Sequence, residues 1–453
     1  MADGKLRSSV MLRLFVTMFM ALLLLIPATF IRSLISEREG RRNAAAQEVS
    51  QKWGGVQTLT GPILTIPFKK PEKNDKNEIS FSIDHLHILP DTLHVLARMK
   101  PEVRRRGIYE VVLYSASVKL EGNFTLPKLD EHRIAPEHLL LNEAFITMGI
   151  TDLHGIRNAV MFDLNGARLP VDPGAKTTGI IQTGLTVLPA ITSVKANLAF
   201  STEIDLNGSG ALNITPVGKE TITDISSTWT CPSFIGSSLP EQRRIGPDGF
   251  KALWKTRHFN RNFPQAWTGN THNFGNSNLG VKLHLPVDEY QKVTRAVKYA
   301  LMFITLTFLA FFLTELFSAA AVHPIQYTLT GLAIVLYYVI LLSLSEHMPF
   351  NTAYAISSTS TTLLVSMYAK SVLKTKKAAA VIGCVLTSMY LFLFVTLQLE
   401  DYALLMGSVG LFIILSLVMY LTRRIDWFSI KKMDGASWRG SENKNRRDGL
   451  TGT

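Results

Sequence analysis

Residues 323–347, HPIQYTLTGLAIVLYYVILLSLSEH, decide the fold. Positions 325–345 carry no charge, and the run is as long as the roughly 20 apolar residues a helix needs to cross hydrocarbon. His323 and Gln326 bracket one end, and Glu346 and His347 the other. These polar residues read as markers of the two interfaces, where such side chains reach water at little cost. Comparable runs occupy 14–31, 299–317, 353–369, 378–397 and 404–420. The sequence therefore predicts a membrane protein with one transmembrane helix at the front and a bundle of five at the back. The run at 353–369 is the least apolar because its first half is rich in Ser and Thr. Hydroxyls can bond back to their own helix carbonyls, which favours a span over a re-entrant loop.

With 453 residues, 47% of them hydrophobic, the chain is too long for one ordinary core, and lipid takes part of the burial. The formal charge of +12 divides into +3 for residues 1–32, +5 for 33–298 and +4 for 299–453. No basic block of the size nucleic acid requires is present, so nucleic acid is not an expected partner. Orientation follows from the short loops. Lys370, Lys374, Lys376 and Lys377 lie between the fourth and fifth spans, and eight Lys and Arg follow the sixth, whereas EHMPFNT and QLEDYA carry none. Cytoplasmic loops hold the excess of Lys and Arg. Both termini are thus expected in the cytoplasm: residues 1–13 at the front, and at the back a basic, disordered tail over 422–453. Arg32, Arg38, Arg41 and Arg42 cut against this, but they head a long translocated domain, partly exempt from the rule. The first run is read as an uncleaved anchor, because it is as long as a span and no small-residue cleavage site follows closely.

Residues 32–298 change pattern. In KANLAFSTEIDL, Ala196, Leu198, Phe200, Thr202, Ile204 and Leu206 alternate with polar positions, which is a half-buried strand. NGSG at 207–210 followed by ALNITPV reads as the turn and return of a hairpin. ISFSID (Ile79, Phe81, Ile83), the stretch 108–124, TITDISSTWTC and GVKLHLPV alternate similarly. A large, mostly antiparallel β domain is expected, with a short helical stalk over 33–53 that Gly54 and Gly55 stop. Cys231 and Cys384 fall in different parts of the chain, so neither a disulfide nor a cysteine metal site is expected.

Motifs that carry chemistry are missing. Gly218-Lys219 is followed by Glu220 and lacks the spacing of a P-loop, no G-x-S-x-G elbow occurs, and Glu346-His347 is no part of H-E-x-x-H. No catalytic residue, metal or cofactor is expected. His85 and His87 project to one strand face, with His94 nearby, but no third ligand is fixed, so they read as ordinary histidines. RRIGPDGFKALWKTRHFNRNFPQAW interleaves cations with aromatics, and Trp254, Arg257 and Trp267 are its candidate ligand-binding residues, set against a reading in which the rings are core. Glu315, Glu346 and His347 are the candidate polar residues of the bundle, set against simple helix-end positioning. Arg104–Arg106 reads as a solvated turn.

TGPILTIP (60–67), PSFIGSSLPEQR (232–243), RAVKYALMFITLTFLAFFLTE (295–315), VHPIQYTLTGLAIVLYYVILLSLSEH (322–347) and TRRIDWFS (422–429) together strongly resemble the CreD family of bacterial inner-membrane proteins. The resemblance runs from near residue 55 to near 430. It implies a Gram-negative inner-membrane protein with a periplasmic domain, a role in envelope integrity and in the response to envelope stress such as β-lactam challenge, and an association with a two-component system. It brings no catalytic residues. The expected function is support of the envelope without enzymatic activity, with the β domain binding or sensing an envelope component. The lipid bilayer and an anionic envelope lipid or glycan are the expected partners. The alternative is a transporter or channel for a small precursor or solute, its path lined by Ser357–Thr362 and Glu346.

Overall fold

The computed structural model describes residues 10–423 except 74–78, 178, 192, 194–196, 270, 271, 273, 285–288, 319–321, 400 and 401. The tail expected over 422–453 and most of the N-terminal segment lie outside the described residues. The chain divides into two units, one of Arg42–Val287 and one of Met1–Arg41 with Asp288–Thr453.

The first unit is built from strands β1 (Gln57–Lys73), β2 (Ile79–Ile88), β3 (Thr92–Arg106), β4 (Tyr109–Thr125), β5 (Phe145–Ile150), β6 (Met161–Leu164), β7 (Ala167–Pro173), β8 (Gly184–Val187), β9 (Asn197–Ser209), β10 (Ala211–Thr215), β11 (Glu220–Ser227), β12 (Pro232–Gly236), β13 (Gln242–Gly246), β14 (Gly249–Arg257), β15 (Ala266–Thr268) and β16 (Leu279–Leu283). The hydrogen-bonded order is β12-β16-β10-β1-β5-β8-β7-β6-β9-β4-β3-β11-β14-β13, with β2 on β1 and β15 on β2. Strand β7 pairs both β8 and β6, and so joins the two halves of the path. Most pairings are antiparallel, while β1–β10 and β3–β11 are parallel.

Period-two alternation builds the core. On β9, Leu198, Phe200, Thr202, Ile204 and Leu206 are buried and Asn197, Ala199 and Glu203 exposed, as the sequence pattern requires. Phe200 meets Phe124 of β4 at 5.0 Å and Phe162 of β6 at 5.8 Å between ring centroids. Each such ring removed from water contributes about 2 kcal/mol, so these strands hold their register through one shared apolar seam.

Three sequence readings are corrected. The NGSG turn makes no hairpin: β9 pairs β4 and β6, whereas β10 pairs β1 and β16. At Gly210 the chain leaves one half of the sheet path for the other, and its N–H donates to Val112 O. The alternating row Ile79, Phe81 and Ile83 is exposed, at 65, 55 and 62%. The reason lies in the pairing. β1 pairs β5 only as far as Thr65 but pairs β2 out to Lys73, so the far end is a two-stranded ribbon. Arg104 is not a free turn residue either, since its guanidinium lies 4.0 Å from the Trp53 ring.

TGPILTIP has a structural role. Gly61 takes φ +108° at a bulge where the β1–β5 register shifts, and a Cβ there would sit 2.9 Å from Thr147 O. Only glycine tolerates that combination.

The second unit contains α1 (Val10–Leu23), the first part of α2 (Leu25–Trp53), α3 (Glu289–Lys298), α4 (Ala300–Ser318), α5 (Pro324–Ser345), α6 (Phe350–Leu373), α7 (Lys376–Gln398) and α8 (Ala403–Thr422). Among the described residues, three helices are long and apolar enough to cross a membrane: Phe15–Trp53, which continues through α2, Pro324–Ser345 and Lys376–Gln398. A fourth is added if Glu289–Lys298 and Ala300–Glu315, bent by 44°, count as one span. Leu405–Tyr420 is apolar but shorter, and α6 falls short because of its Ser and Thr. Of the five C-terminal spans the sequence reading expects, two or three meet this length and hydropathy among the described residues.

Candidate functional site

The β unit carries a cleft of about 510 Å³ whose walls include Pro67, His85, Asn142, Glu143, Phe145 and Lys176. Strands β1 and β2 bring Pro67 and His85, the turn before β5 brings Asn142 and Glu143, and the loop after β7 brings Lys176. Lys176 Nζ stands 5.4 Å from the centroid of the Phe145 ring, a cation over an aromatic floor. The His85 ring meets the same phenyl edge-on at 6.2 Å. A cation and an imidazole thus flank one apolar ring, and Asn142 and Glu143 stand in the wall of the same cleft. Such a set of groups can orient a small polar ligand by charge and hydrogen bonds.

Behind His85 lies His87, stacked at 6.2 Å with an interplanar angle of 13°. His87 is fully buried, and its Nδ1 shares a 2.9 Å hydrogen bond with Thr65 Oγ1. Burial pushes its pKa down to about 4, the neighbouring His85 adds to this, and Asp84 opposes it. The ring is therefore neutral at pH 7. No group of three or more His, Cys, Asp or Glu placed to hold a metal occurs among the described residues.

The aromatic and basic stretch does not make a stacking platform. Trp254 is 1% exposed and its Nε1 donates to Ser238 O, within PSFIGSSLP, at 3.2 Å. Trp267 is buried against His87 and Phe274. Arg257, at the end of β14, is exposed. Neither tryptophan offers a face to solvent, because alternation on β14 and β15 turns both into the core. Arg261 is held by its Nη1 to Val217 O at 2.7 Å and by Gln265, and burial lowers its pKa to about 10, which leaves it charged.

In the helical unit, the candidate polar residues separate. Glu315 on α4 is buried, and its carboxylate accepts from Tyr327 Oη at 2.8 Å and Val322 N at 3.2 Å. Glu346 caps the end of α5, accepts from Tyr290 Oη at 2.9 Å and lies 3.7 Å from Arg38. It thereby ties α5 to α3 and α2. His347 is exposed. At the other end of α5, Ile325 N donates to His323 Nδ1 and His323 N donates to Gln326 Oε1, a capping box with Pro324 as the first helical residue. His323, Gln326 and Glu346 thus each make contacts at an end of α5. Sequence reasoning missed Lys176, Asn142 and Glu143 as a group, and Tyr290 and Arg38 as partners of Glu346, because long-range pairing brings each set together.

An apolar N-terminal helix, a large mostly-β domain and C-terminal apolar helices define a class of membrane proteins that combine apolar helices with one large β domain. The sequence profile described as "Inner membrane protein CreD" matches residues 9–428. The "Inner membrane protein CreD" of Escherichia coli (strain K12) is 34% identical over 423 residues, covering 91% of this chain and 93% of that protein. The chain belongs to the CreD family.

Proposed function

We propose that this protein supports the integrity of the cell envelope from the inner membrane, and that its β domain, facing the periplasm, binds an anionic envelope component in the His85–Lys176 cleft. The observation that carries the reading is that Lys176 and His85 meet at the Phe145 ring in a cleft that Asn142 and Glu143 also line. Five C-terminal spans anchor the protein with both termini in the cytoplasm, and occupancy of the cleft is coupled to the envelope-stress response through a two-component system. The protein acts by binding, not catalysis.

The transport reading draws on Ser357 and Thr361, which α6 buries. Two features favour binding over it. The Ser357 hydroxyl donates to Ala353 O of its own helix. Tyr337 stands between Tyr338, Tyr354 and Tyr390 at centroid distances of 4.8, 6.0 and 4.6 Å, which fills the space with rings.

The test is complementation of a deletion strain, scored by detergent and β-lactam sensitivity at equal expression. Full-length protein should restore the envelope and His85→Ala/Lys176→Ala should not. Full rescue by that variant would refute the cleft. A version stopped after Lys298 discriminates the alternatives: rescue by it favours binding, and failure despite a folded, abundant domain favours transport.

A further inference from the structure

Helix α2 changes character at Arg32. The run before it is apolar, whereas Arg32, Glu37, Arg38, Glu39, Arg41 and Arg42 follow within eleven residues. The α3–α4 pair changes in the same way. α3 exposes Gln291 and Lys298 and buries Tyr290, Val293, Ala296 and Val297, and after a 44° bend α4 continues as an almost wholly apolar helix. Charged residues mark where a span leaves hydrocarbon, so the boundary crosses both helices near residues 32 and 298.

At that level lies a groove of about 270 Å³ lined by Arg32, Ile35, Ser36, Glu39, Thr294 and Lys298. Positions 32, 35, 36 and 39 share one face of α2, and 294 and 298 one face of α3, as helical spacing requires. Ile35 is a buried floor, while Arg32 and Lys298 are exposed. Among the described residues neither of these two cations has an ion-pair partner, whereas Glu39 is already engaged. On the hydrocarbon side Leu301, one turn on from Lys298 and on the same face, is exposed at 42%, whereas Ile26 and Phe30 are exposed on the other side of α2. Cations and hydroxyls thus sit next to uncovered apolar surface on the α4 side of the groove.

We propose that this groove binds the headgroup of an anionic phospholipid. A phosphodiester brings one negative charge and two acceptor oxygens, which a guanidinium and an ammonium recognise together. The Ser36 and Thr294 hydroxyls donate to the remaining headgroup oxygens, and the acyl chains cover the apolar residues beside it. Free phosphate shares the headgroup chemistry but not the chains. The site is independent of the β-domain cleft, and loss of either leaves the other intact.

Native mass spectrometry of the full-length protein, delipidated in detergent and titrated with phosphatidylglycerol or phosphatidylcholine, tests this. One phosphatidylglycerol should be retained in preference to phosphatidylcholine, and millimolar inorganic phosphate should not displace it. Each cation near a membrane surface is worth roughly fivefold in anionic-lipid affinity, so Arg32→Gln/Lys298→Gln should bind about thirtyfold more weakly. Arg41→Gln/Arg42→Gln, the same charge change outside the groove, should bind as the native protein does. Ser36→Phe fills the groove while keeping both cations and should also lose the lipid, which decides the matter if the double variant does not fold. Retention of phosphatidylglycerol by the groove variants, equal binding of phosphatidylcholine, or displacement by inorganic phosphate overturns the proposal.

Discussion

Acidification should loosen the β domain through His87. Its ring is fully buried, its Nδ1 is bonded to Thr65, and burial holds its pKa at about 4 against an ordinary value of 6.5. The folded pKa lies below the unfolded one, so between pH 6.5 and 4 the unfolded chain takes up a proton that the folded chain refuses. Stability is then fully present above that window and falls as pH drops through it. Linkage over this shift gives a loss of about 2 kcal/mol by pH 5 and about 3 kcal/mol once both states are protonated. The assay is chemical unfolding of the full-length protein in detergent, followed by tryptophan fluorescence at pH 7 and pH 5. Trp254 and Trp267 are both buried in this domain, and Trp267 lies 5.3 Å from His87. Other groups titrate as well, so the control is His87→Leu. That variant loses the Thr65 bond and should be about 1 kcal/mol less stable at pH 7, but its own loss on going to pH 5 should be about 2 kcal/mol smaller than that of the native protein. Equal pH dependence in the two proteins would refute the assignment of His87 as a neutral buried base.

Trp254→Ala should destabilise the β domain by about 3–5 kcal/mol, since it empties a fully buried indole site and frees Ser238 O; urea unfolding checks this, and a change below about 1 kcal/mol would mean that the ring is not core. In the helical unit, Tyr290→Phe should cost about 1.5 kcal/mol because a charge-assisted bond to Glu346 is lost, while Arg38→Ala should cost less than about 1 kcal/mol because that pair is longer and its Arg half-exposed. Thermal unfolding in one detergent ranks the two. Glu315→Ala leaves Tyr327 Oη and Val322 N without this acceptor and should cost about 2–4 kcal/mol, and Glu315→Gln, which keeps one acceptor oxygen, should cost less; the reverse order would point to a role for the charge itself.

The legible parts of the sequence were those in which a single segment carries its own signal. An apolar run such as 325–345 identifies a helix without reference to any partner. The alternation of Leu198 to Leu206 likewise identifies a strand and its buried face. The α6 segment was ambiguous for the same reason: Ser357, Ser358, Thr359 and Thr361 lower its hydropathy, and the Ser357 hydroxyl recovers the cost by bonding to Ala353 O, which composition does not reveal. Trp254 shows the limit of reading residue type without face. Interleaved aromatics and cations suggested a binding strip, but along β14 interleaving is alternation, so Phe250 and Trp254 turn inward and Lys251, Lys255 and Arg257 outward.

What remained hidden depended on contacts distant in sequence. NGSG has every local mark of a hairpin turn, yet β10 has better partners in β1 and β16, and a local turn preference of a few tenths of a kcal/mol cannot outweigh two ladders of backbone hydrogen bonds at about 1 kcal/mol each. Ile79, Phe81 and Ile83 alternate as a buried row would, but burial requires a second layer, and β5 stops pairing β1 at Thr65. The cleft is the clearest case. His85, Asn142 and Lys176 line one cleft because β1 pairs β2 on one side and β5 on the other, and β5 pairs β8, which in turn pairs β7. The same pairing that buries His87 at Thr65 therefore places His85, two residues earlier on the same face, at the mouth of the cleft, so one short strand segment supplies both a neutral core imidazole and a half-exposed one. That division of two like residues by depth alone makes the single variants His85→Ala and His87→Leu separable: the first should change binding without stability, and the second stability without binding.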